Sequence, residues 1–245
     1  MWSDSNPFLN GPFEPLTGEK SDTAPTVIGE IPLDLRGGLY RTGNANVFEP
    51  LNADRAHWFD ADGMTHAFIL ENGKASYVGK WVETDGVQVE RAAGKALYNG
   101  VYGVSNVPQL PLPPEAPPLK ISAGINIAPL AGKVLALHEQ ADHYWEIHPR
   151  TLETLGRFTF GDHYKGKLLT GHPHYDATTN ENLFIAHDPE HRQVTCFSVN
   201  ADGDITSEHT AQMPSKAWIH DFIASRDWFI FFLGSVRKPK KYDFL

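Results

Sequence analysis

The chain has 245 residues, of which 41% are hydrophobic, and this is enough to bury the core of one globular domain. Its 21 basic and 30 acidic side chains give a formal net charge of −9, which argues against a nucleic-acid-binding protein. The single cysteine, Cys196, cannot form an intrachain disulfide, so we expect a reducing compartment and a cytoplasmic location. We expect neither a signal peptide nor a membrane span, because the sequence has no basic N-terminal segment before an apolar run and no stretch of about 18 apolar residues.

The first 32 residues are rich in proline and show little hydrophobic periodicity. Prolines stand at positions 7, 12, 15, 25 and 32. Because proline fixes its own φ and cannot donate a backbone hydrogen bond, this spacing favours extended, irregular chain. Residues 1–32 are therefore predicted to form an extended N-terminal arm on a folded body.

Short strand-like runs separated by turn residues dominate the rest of the chain. Asn72-Gly73 between two apolar runs predicts the clearest β-hairpin, over Phe68–Val78. Further strands are predicted at Val134–Leu137, Tyr144–Ile147, Leu183–Ala186, Val194–Val199 and Trp228–Leu233. No segment keeps a 3.6-residue period, and one or two helical turns are predicted at Arg91–Tyr98. This pattern favours an all-β sandwich or propeller.

The stretch His57–His66 contains two histidines and two aspartates in ten residues, a composition that could bind a metal ion. Its spacing fits no compact chelating motif. Asp60-Ala61-Asp62-Gly63 more readily forms a hairpin turn, in which aspartate bonds backbone amides and Gly63 adopts a positive φ. We therefore predict that this stretch builds the fold and not a binding site.

Two histidines stand at places where the backbone is tightly defined. His172 precedes Pro173, which biases it toward an extended conformation, and apolar residues on both sides of His220 predict a largely buried strand. The two histidines are 48 positions apart, and a propeller blade takes about 40–50 residues. Histidines one blade apart on inner strands would converge on the central axis, where neutral imidazoles form a metal site.

These two stretches also resemble a known family. Gly171-His172-Pro173-His174 and Ile219-His220-Asp221-Phe222 resemble the first two iron-ligand motifs of the carotenoid cleavage oxygenases, and the resemblance runs from about Asn6 to the end of the chain. It implies an all-β, seven-bladed β-propeller in which four histidines hold one Fe(II) on the axis and three glutamates hydrogen-bond to those histidines. The other two histidine motifs would lie beyond Leu245. We therefore expect residues 1–245 to be a partial domain, roughly the first half of the propeller.

The resemblance also assigns roles to residues around the metal. His172 and His220 would be two of the four Fe(II) ligands. Glu139 follows a predicted strand and would accept the Nδ1–H of a ligating histidine, most simply that of His220, leaving Nε2 to face the metal. His174 would share a strand face with His172. We expect His174 to support the ligands or the fold and not to bind the metal.

A proline- and leucine-rich stretch at Val101–Lys120 is a candidate for the substrate entrance. On composition alone it is equally typical of a polyproline linker on the surface. The resemblance implies an apolar insertion beside a tunnel mouth, with peripheral membrane contact, although Lys120 alone is too little charge for electrostatic lipid binding. Tyr102 resembles a substrate-binding tyrosine of the lignostilbene-cleaving branch. His138 stands where that branch has a lysine, so both are candidate substrate-binding residues.

The implied activity is cleavage of a conjugated C=C bond of a carotenoid, apocarotenoid or stilbenoid by O₂, which yields two carbonyl products. Fe(II) would activate O₂, and no nucleophile-plus-base pair is needed. The alternative is an inactive truncated propeller fragment or a non-catalytic interaction protein, and a sugar-processing propeller is less favoured because no paired carboxylates stand out. With two of four ligands, we expect the chain alone to retain iron weakly and to show no measurable cleavage.

Overall fold

The computed structural model of the chain describes residues 2–16, 18–100, 111–139, 141–217 and 219–233. The chain divides into two compact units. The first contains Met1–Pro129, Lys133–His138 and Tyr144–Phe158, and the second contains Leu130–Gly132, Glu139–His143 and Thr159–Leu245. No helix in the described part of the chain is long and apolar enough to cross a membrane.

Strands make up most of the regular structure. In the described residues they are β1 (Lys20–Asp22), β2 (Gly37–Asn44), β3 (Gly63–Glu71), β4 (Lys74–Trp81), β5 (Asn126–Leu130), β6 (Lys133–Leu137), β7 (Tyr144–Ile147), β8 (Thr154–Phe158), β9 (Leu168–Leu169), β10 (His174–Asp176), β11 (Glu181–Asp188), β12 (Gln193–Val199), β13 (Ile205–Gln212), β14 (Phe222–Ala224) and β15 (Phe229–Phe231). One α-helix, α1 (Asp85–Ala93), joins β4 to the following segment. Short 3₁₀ turns lie at Pro7–Leu9, Gly11–Phe13, Ala53–Arg55, Trp58–Asp60 and Gly161–Tyr164.

The strands form antiparallel sheets in which neighbours in sequence are mostly neighbours in space. The strand orders are β1-β4-β3-β2, β5-β6-β7-β8, β10-β11-β12-β13 with β9 also paired to β11, and the hairpin β14-β15. The predicted all-β class is confirmed, and each strand run predicted from the sequence contains a strand. Short antiparallel strands joined by tight turns follow from the dense turn residues of this sequence.

The hairpin predicted at Asn72-Gly73 is present and connects β3 to β4. Asn72 and Gly73 both have positive φ, at 53° and 72°, which is the conformation that a two-residue type I′ turn requires. Its geometry fixes the register, so Glu71 pairs with Lys74 and Met64 pairs with Trp81. Alternate residues of the two strands consequently share one face.

The core of the first unit is the apolar face shared by its two sheets. Ala67 and Val78 from one sheet pack with Ala136, Trp145 and Ile147 from the other, and all five are buried. Alternation along each strand places these residues on the inward face. Burial of this kind stabilises by about 25 cal/mol per Å² of apolar surface removed from water, so this cluster holds the two sheets together.

Hydrogen bonds attach the N-terminal stretch to this unit in two places. Asn6 donates from its side-chain amide to the carbonyl oxygens of Ala53 and Ala56, at 2.7 and 2.8 Å. Strand β1 then pairs with β4 as an edge strand. The stretch is therefore attached by hydrogen bonds at both places.

The helix lies earlier in the chain than Arg91–Tyr98, so the predicted bounds were wrong. Thr84 is the N-cap, and its side chain accepts from the backbone N–H of Val87 at 3.3 Å. Gly94 ends the helix in the left-handed conformation with φ 68°. These are the usual start and stop signals of a helix, and they outweigh the lack of a long apolar period.

The turn predicted at Asp60-Ala61-Asp62-Gly63 is also wrong. Trp58–Asp60 forms a 3₁₀ turn, and β3 begins directly at Gly63. A Cβ atom on Gly63 would lie 2.2 Å from the carbonyl oxygen of Ser122, so glycine is needed here for close packing and not for a turn. Asp62 is buried, and its carboxylate accepts from the backbone N–H of Val47 at 3.0 Å.

A buried ion triad joins this segment to the helix. The ammonium of Lys120 lies 2.6 Å from Oδ1 of Asp62 and 2.5 Å from Oε2 of Glu90. Both carboxylates are 1% exposed. Burial acts to lower the pKa of Lys120, but the two carboxylates raise it above its usual value, so the side chain stays cationic. The second oxygen of Glu90 accepts from the N–H groups of Leu97 and Tyr98.

Removing this cation should strongly destabilise the first unit. We expect Lys120→Met to lower the free energy of unfolding by about 3–5 kcal/mol, because two carboxylates remain buried without a counter-charge. Urea denaturation followed by tryptophan fluorescence measures the change. Lys133→Met is the matched control, since Lys133 pairs with Glu146 at 2.7 Å while 39% exposed, and such a pair contributes at most about 1 kcal/mol. Equal losses for the two variants would contradict a structural role for the triad.

The second unit is built on the sheet of β10 to β13. One face of this sheet carries Ile185, Val194 and Cys196, which pack with Ile219 and Phe222 from the segment leading into β14. Burial raises the pKa of the Cys196 thiol to about 11, so it is an inert packing residue, as expected for a cysteine in a strand. This apolar face determines where the chain around residue 220 runs.

Candidate metal centre

His172 lies in a break of a strand at one side of the second unit's sheet. Strands β9 and β10 both pair with β11, through Leu169↔Ala186 and His174↔Leu183. Between them, Pro173 has no N–H to donate, so the ladder is interrupted there. The backbone N–H of His172 instead donates to the side-chain hydroxyl of Thr170 at 3.0 Å. Because of the break, the side chain of His172 does not have to follow the alternation of faces along a strand.

His220 is held by the core residues on both sides of it. Ile219 and Phe222 are buried at 6% and 2% exposure. Asp221 accepts the backbone N–H of Phe222 at 2.7 Å, which fixes the start of β14. His220 itself precedes the strand and its side chain is 65% exposed, so the prediction of a largely buried strand position was wrong. Two consecutive exposed residues, His220 and Asp221, thus lie between two buried apolar residues, which is not the alternation of a regular strand.

Glu139 brings the two histidines together. Its carboxylate is 8% exposed, and Oε1 lies 2.6 Å from Nδ1 of His220 and 3.1 Å from Nε2 of His172. The two imidazole rings meet edge to face with their centroids 4.6 Å apart. All three residues belong to the second unit. The three side chains therefore converge on one point.

The donor set fits a divalent transition metal. One ligand atom from each of Glu139, His172 and His220 lies within 4.8 Å of the others. Oε1 of Glu139 is buried and faces a ring nitrogen of each imidazole, at 2.6 and 3.1 Å. Two imidazoles and one carboxylate are typical ligands of non-haem Fe(II). A buried carboxylate is costly without positive charge beside it, and a cation at this point would supply that charge.

The two contacts of Glu139 differ in length, and this bears on its role. Oε1 of Glu139 lies 2.6 Å from Nδ1 of His220, which is a direct contact, and farther, at 3.1 Å, from Nε2 of His172. Contact through Nδ1 leaves Nε2 of His220 available to a metal, which is the direction expected from the sequence. That Glu139 orients His220 in this way stays a prediction.

The negative charges of Glu139 and Asp221 near His172 and His220 favour positive charge at this place. The interaction with Glu139 raises the pKa of His172, burial of the ring opposes this increase, and the charge of Asp221 adds to it. Burial acts to raise the pKa of Asp221, but hydrogen bonds from Phe222 and His174 lower it below its usual value. Glu139 thus faces His172 and His220, and Asp221 faces His174.

Two further residues, Tyr102 and His138, were predicted to bind substrate. His138 is buried and belongs to the first unit. Tyr102 lies outside the described residues. Their predicted roles in substrate binding stay predictions. The sequence analysis gave no role to Asp221, although its position directly after a candidate ligand could have indicated one.

Comparison with known proteins places the chain. The sequence profile of the family described as retinal pigment epithelial membrane protein matches residues 13–244. The chain belongs to this family. The resemblance found in the histidine motifs is therefore confirmed over nearly the whole sequence.

The relatives are oxygenases. Isoeugenol monooxygenase of Pseudomonas nitroreducens is 33% identical over 93% of this chain and 47% of its own length. Carotenoid 9,10(9',10')-cleavage dioxygenase 1 of Phaseolus vulgaris is 30% identical over 96% of this chain and 45% of its own length. The chain thus spans about half the length of the curated relatives it matches.

Solved structures agree with this placement. The lignostilbene dioxygenase of Pseudomonas brassicacearum matches with a TM-score of 0.79 and 28% identity, over 90% of this chain and 45% of the other. A cobalt-substituted apocarotenoid oxygenase of Synechocystis matches with a TM-score of 0.73 and 27% identity, over 89% of this chain and 47% of the other.

Metal binding should depend on both histidines. We expect purified chain to bind one Co(II) under anaerobic conditions, and His172→Ala or His220→Ala to weaken the affinity by more than about a hundredfold. That exceeds the 10- to 100-fold loss typical of residues outside the ligand set. Absorption titration measures the affinity, and His191→Ala is the control because His191 is an exposed residue of the β11–β12 turn. An unchanged affinity in either ligand variant would exclude the site.

Proposed function

We propose that this chain supplies part of the iron centre of an oxygenase that cleaves a conjugated C=C bond. The observation that carries the proposal is the convergence of Glu139, His172 and His220 in a chain of this family. The relatives include enzymes named for cleaving carotenoids and resveratrol, which supports a carbon–carbon cleavage reaction. In the balanced reaction, O₂ and the C=C bond give two carbonyl groups, and no external reductant is needed.

The roles of the three residues follow from their chemistry. His172 and His220 would hold Fe(II) through neutral imidazole nitrogens. The bound iron would supply the activation of O₂. Glu139 would fix the tautomer and direction of His220 by accepting at Nδ1, and its burial keeps water from competing for that contact. No residue of the cluster needs to act as a nucleophile.

The substrate would be an apolar conjugated alkene. Names of relatives include isoeugenol, resveratrol, carotenoid and apocarotenoid substrates, which share an alkene conjugated with a ring or a polyene. We propose a carotenoid, apocarotenoid or stilbenoid for this chain. The Val101–Lys120 stretch would line its entrance and contact a membrane surface. Residues 101–110 lie outside the described part, and residues 111–120 contain neither strand nor helix.

For the whole protein we propose a seven-bladed β-propeller, of which this chain forms the first blades. The support is the repeated unit of four antiparallel strands in chain order, as in β5-β6-β7-β8 and β10-β11-β12-β13, which is the pattern of a propeller blade. The coverage of about half of each relative fits a partial propeller. Two ligands would then come from this chain and the others from further blades.

A chimera tests the proposed activity. The region of isoeugenol monooxygenase that matches this chain would be replaced by residues 1–245, and the product would be loaded with Fe(II) anaerobically. We expect carbonyl products from isoeugenol or resveratrol in the chimera. We expect their loss in the His172→Ala and His220→Ala chimeras, because each removes an iron ligand. Chromatography of the carbonyl products measures turnover, and the His191→Ala chimera is the control.

The isolated chain is assayed beside the chimera. We expect weak iron retention and no measurable cleavage from residues 1–245, because two of the proposed four ligands keep part of the coordination free energy. A folded, iron-loaded chimera without turnover would contradict the oxygenase proposal and favour a non-catalytic interaction protein. Turnover by the chain alone, lost in both histidine variants, would contradict the need for further ligands.

A further inference from the structure

A second contact joins the two segments that carry the candidate ligands. Nε2 of His174 lies 3.3 Å from Oδ1 of Asp221. His174 is two residues after His172, and Asp221 directly follows His220. The same two segments therefore meet twice, once through the imidazole pair and once through this histidine and aspartate.

Backbone interactions hold both residues of this contact in place. His174 pairs with Leu183 in the first position of β10. The same oxygen of Asp221 accepts the N–H of Phe222 at 2.7 Å. The ring of His174 also stands edge to face on the ring of Phe222, with the centroids 4.6 Å apart. Phe222 is 2% exposed in the core, so the contact has a rigid base.

We propose that His174 and Asp221 are positioning residues that set the distance between His172 and His220. The inference rests on the proposed metal centre. The hydrogen bond fixes one segment relative to the other at the positions next to the ligands, so its loss lets the two imidazoles separate. If the two imidazoles are ordered only when the ion binds, the free-energy cost of ordering them lowers the affinity for the ion.

The exposure of the pair separates this role from a general structural one. The side chains of His174 and Asp221 are 42% and 51% exposed. A contact this exposed contributes little to global stability. Its effect should therefore appear in metal affinity and in the geometry around the ion, with little change in the melting temperature of the metal-free chain.

The test is a Co(II) titration of variants of the full chain. We expect Asp221→Ala and His174→Ala each to weaken Co(II) binding about tenfold, at the lower end of the range for residues that orient metal ligands, because the pair is half-exposed. The visible absorption band per bound Co(II) should also shift, since the ligand geometry changes. A residue with a merely structural role would leave that band unchanged.

Two further variants isolate the hydrogen bond. Asp221→Asn keeps an oxygen that can accept from Phe222 and His174, and we expect it to restore most of the affinity and the band. The double variant His174→Ala/Asp221→Ala should bind no more weakly than either single variant, because both remove one interaction. His191→Ala is the matched control, as His191 pairs with Asp188 at 2.8 Å in an exposed turn of the same unit.

The outcomes distinguish this inference from the proposed function. If wild-type chain does not bind Co(II), the metal centre itself is wrong. If wild-type chain binds Co(II) and both alanine variants bind equally well with an unchanged band, the positioning role is overturned while the centre stands. Additive losses in the double variant would also overturn it, since the two residues would then act separately.

Discussion

The buried carboxylate of Glu139 is the constraint on which the candidate site depends. A carboxylate removed from water must be compensated by donors or by positive charge. At this place the chain offers two imidazoles, which can gain, lose or reposition a proton, and both approach the same oxygen of Glu139. Neither imidazole is a permanent cation, so the arrangement suits an added one.

The Lys120 triad shows the opposite solution to the same problem. There two buried carboxylates share one permanent cation, and their other oxygens accept backbone N–H groups. Every charge is compensated within the protein, so nothing is left for a ligand to do. The two sites contain similar acidic groups in a similar degree of burial. The difference between a structural site and a candidate binding site is whether the compensating charge is built into the sequence.

Local chemistry explains which parts of the fold the sequence could predict. Alternation and turn residues act over a few positions, so the strands and the Asn72-Gly73 hairpin were predictable. The role of Asp62 was not, because its partner Lys120 lies far away in sequence. A short motif with turn residues looks the same whether its aspartate bonds a local amide or a distant lysine.

The candidate site was predictable for a different reason. His172, His220 and Glu139 were selected through resemblance to family motifs, since a spacing of 48 residues says little about distance in space. The exposure of His220 could not be foreseen, because apolar neighbours predict burial of a whole segment, whereas the chain buries Ile219 and Phe222 and exposes the two residues between them. The contact of His174 with Asp221 depends on how two segments cross, which no pattern within either segment records.

The strand break at His172 has a consequence for how this region can change during evolution. In a continuous strand, inserting one residue reverses the face of every side chain beyond it. Strands β9 and β10 pair with β11 separately, so residues 170–173 form a joint between two independently registered pieces. An insertion or deletion there can be absorbed without disturbing either ladder. The direction of the His172 imidazole and the register of the sheet can therefore change independently. Residues 170–173 can vary in length while the pairing of β9 and β10 with β11 is kept.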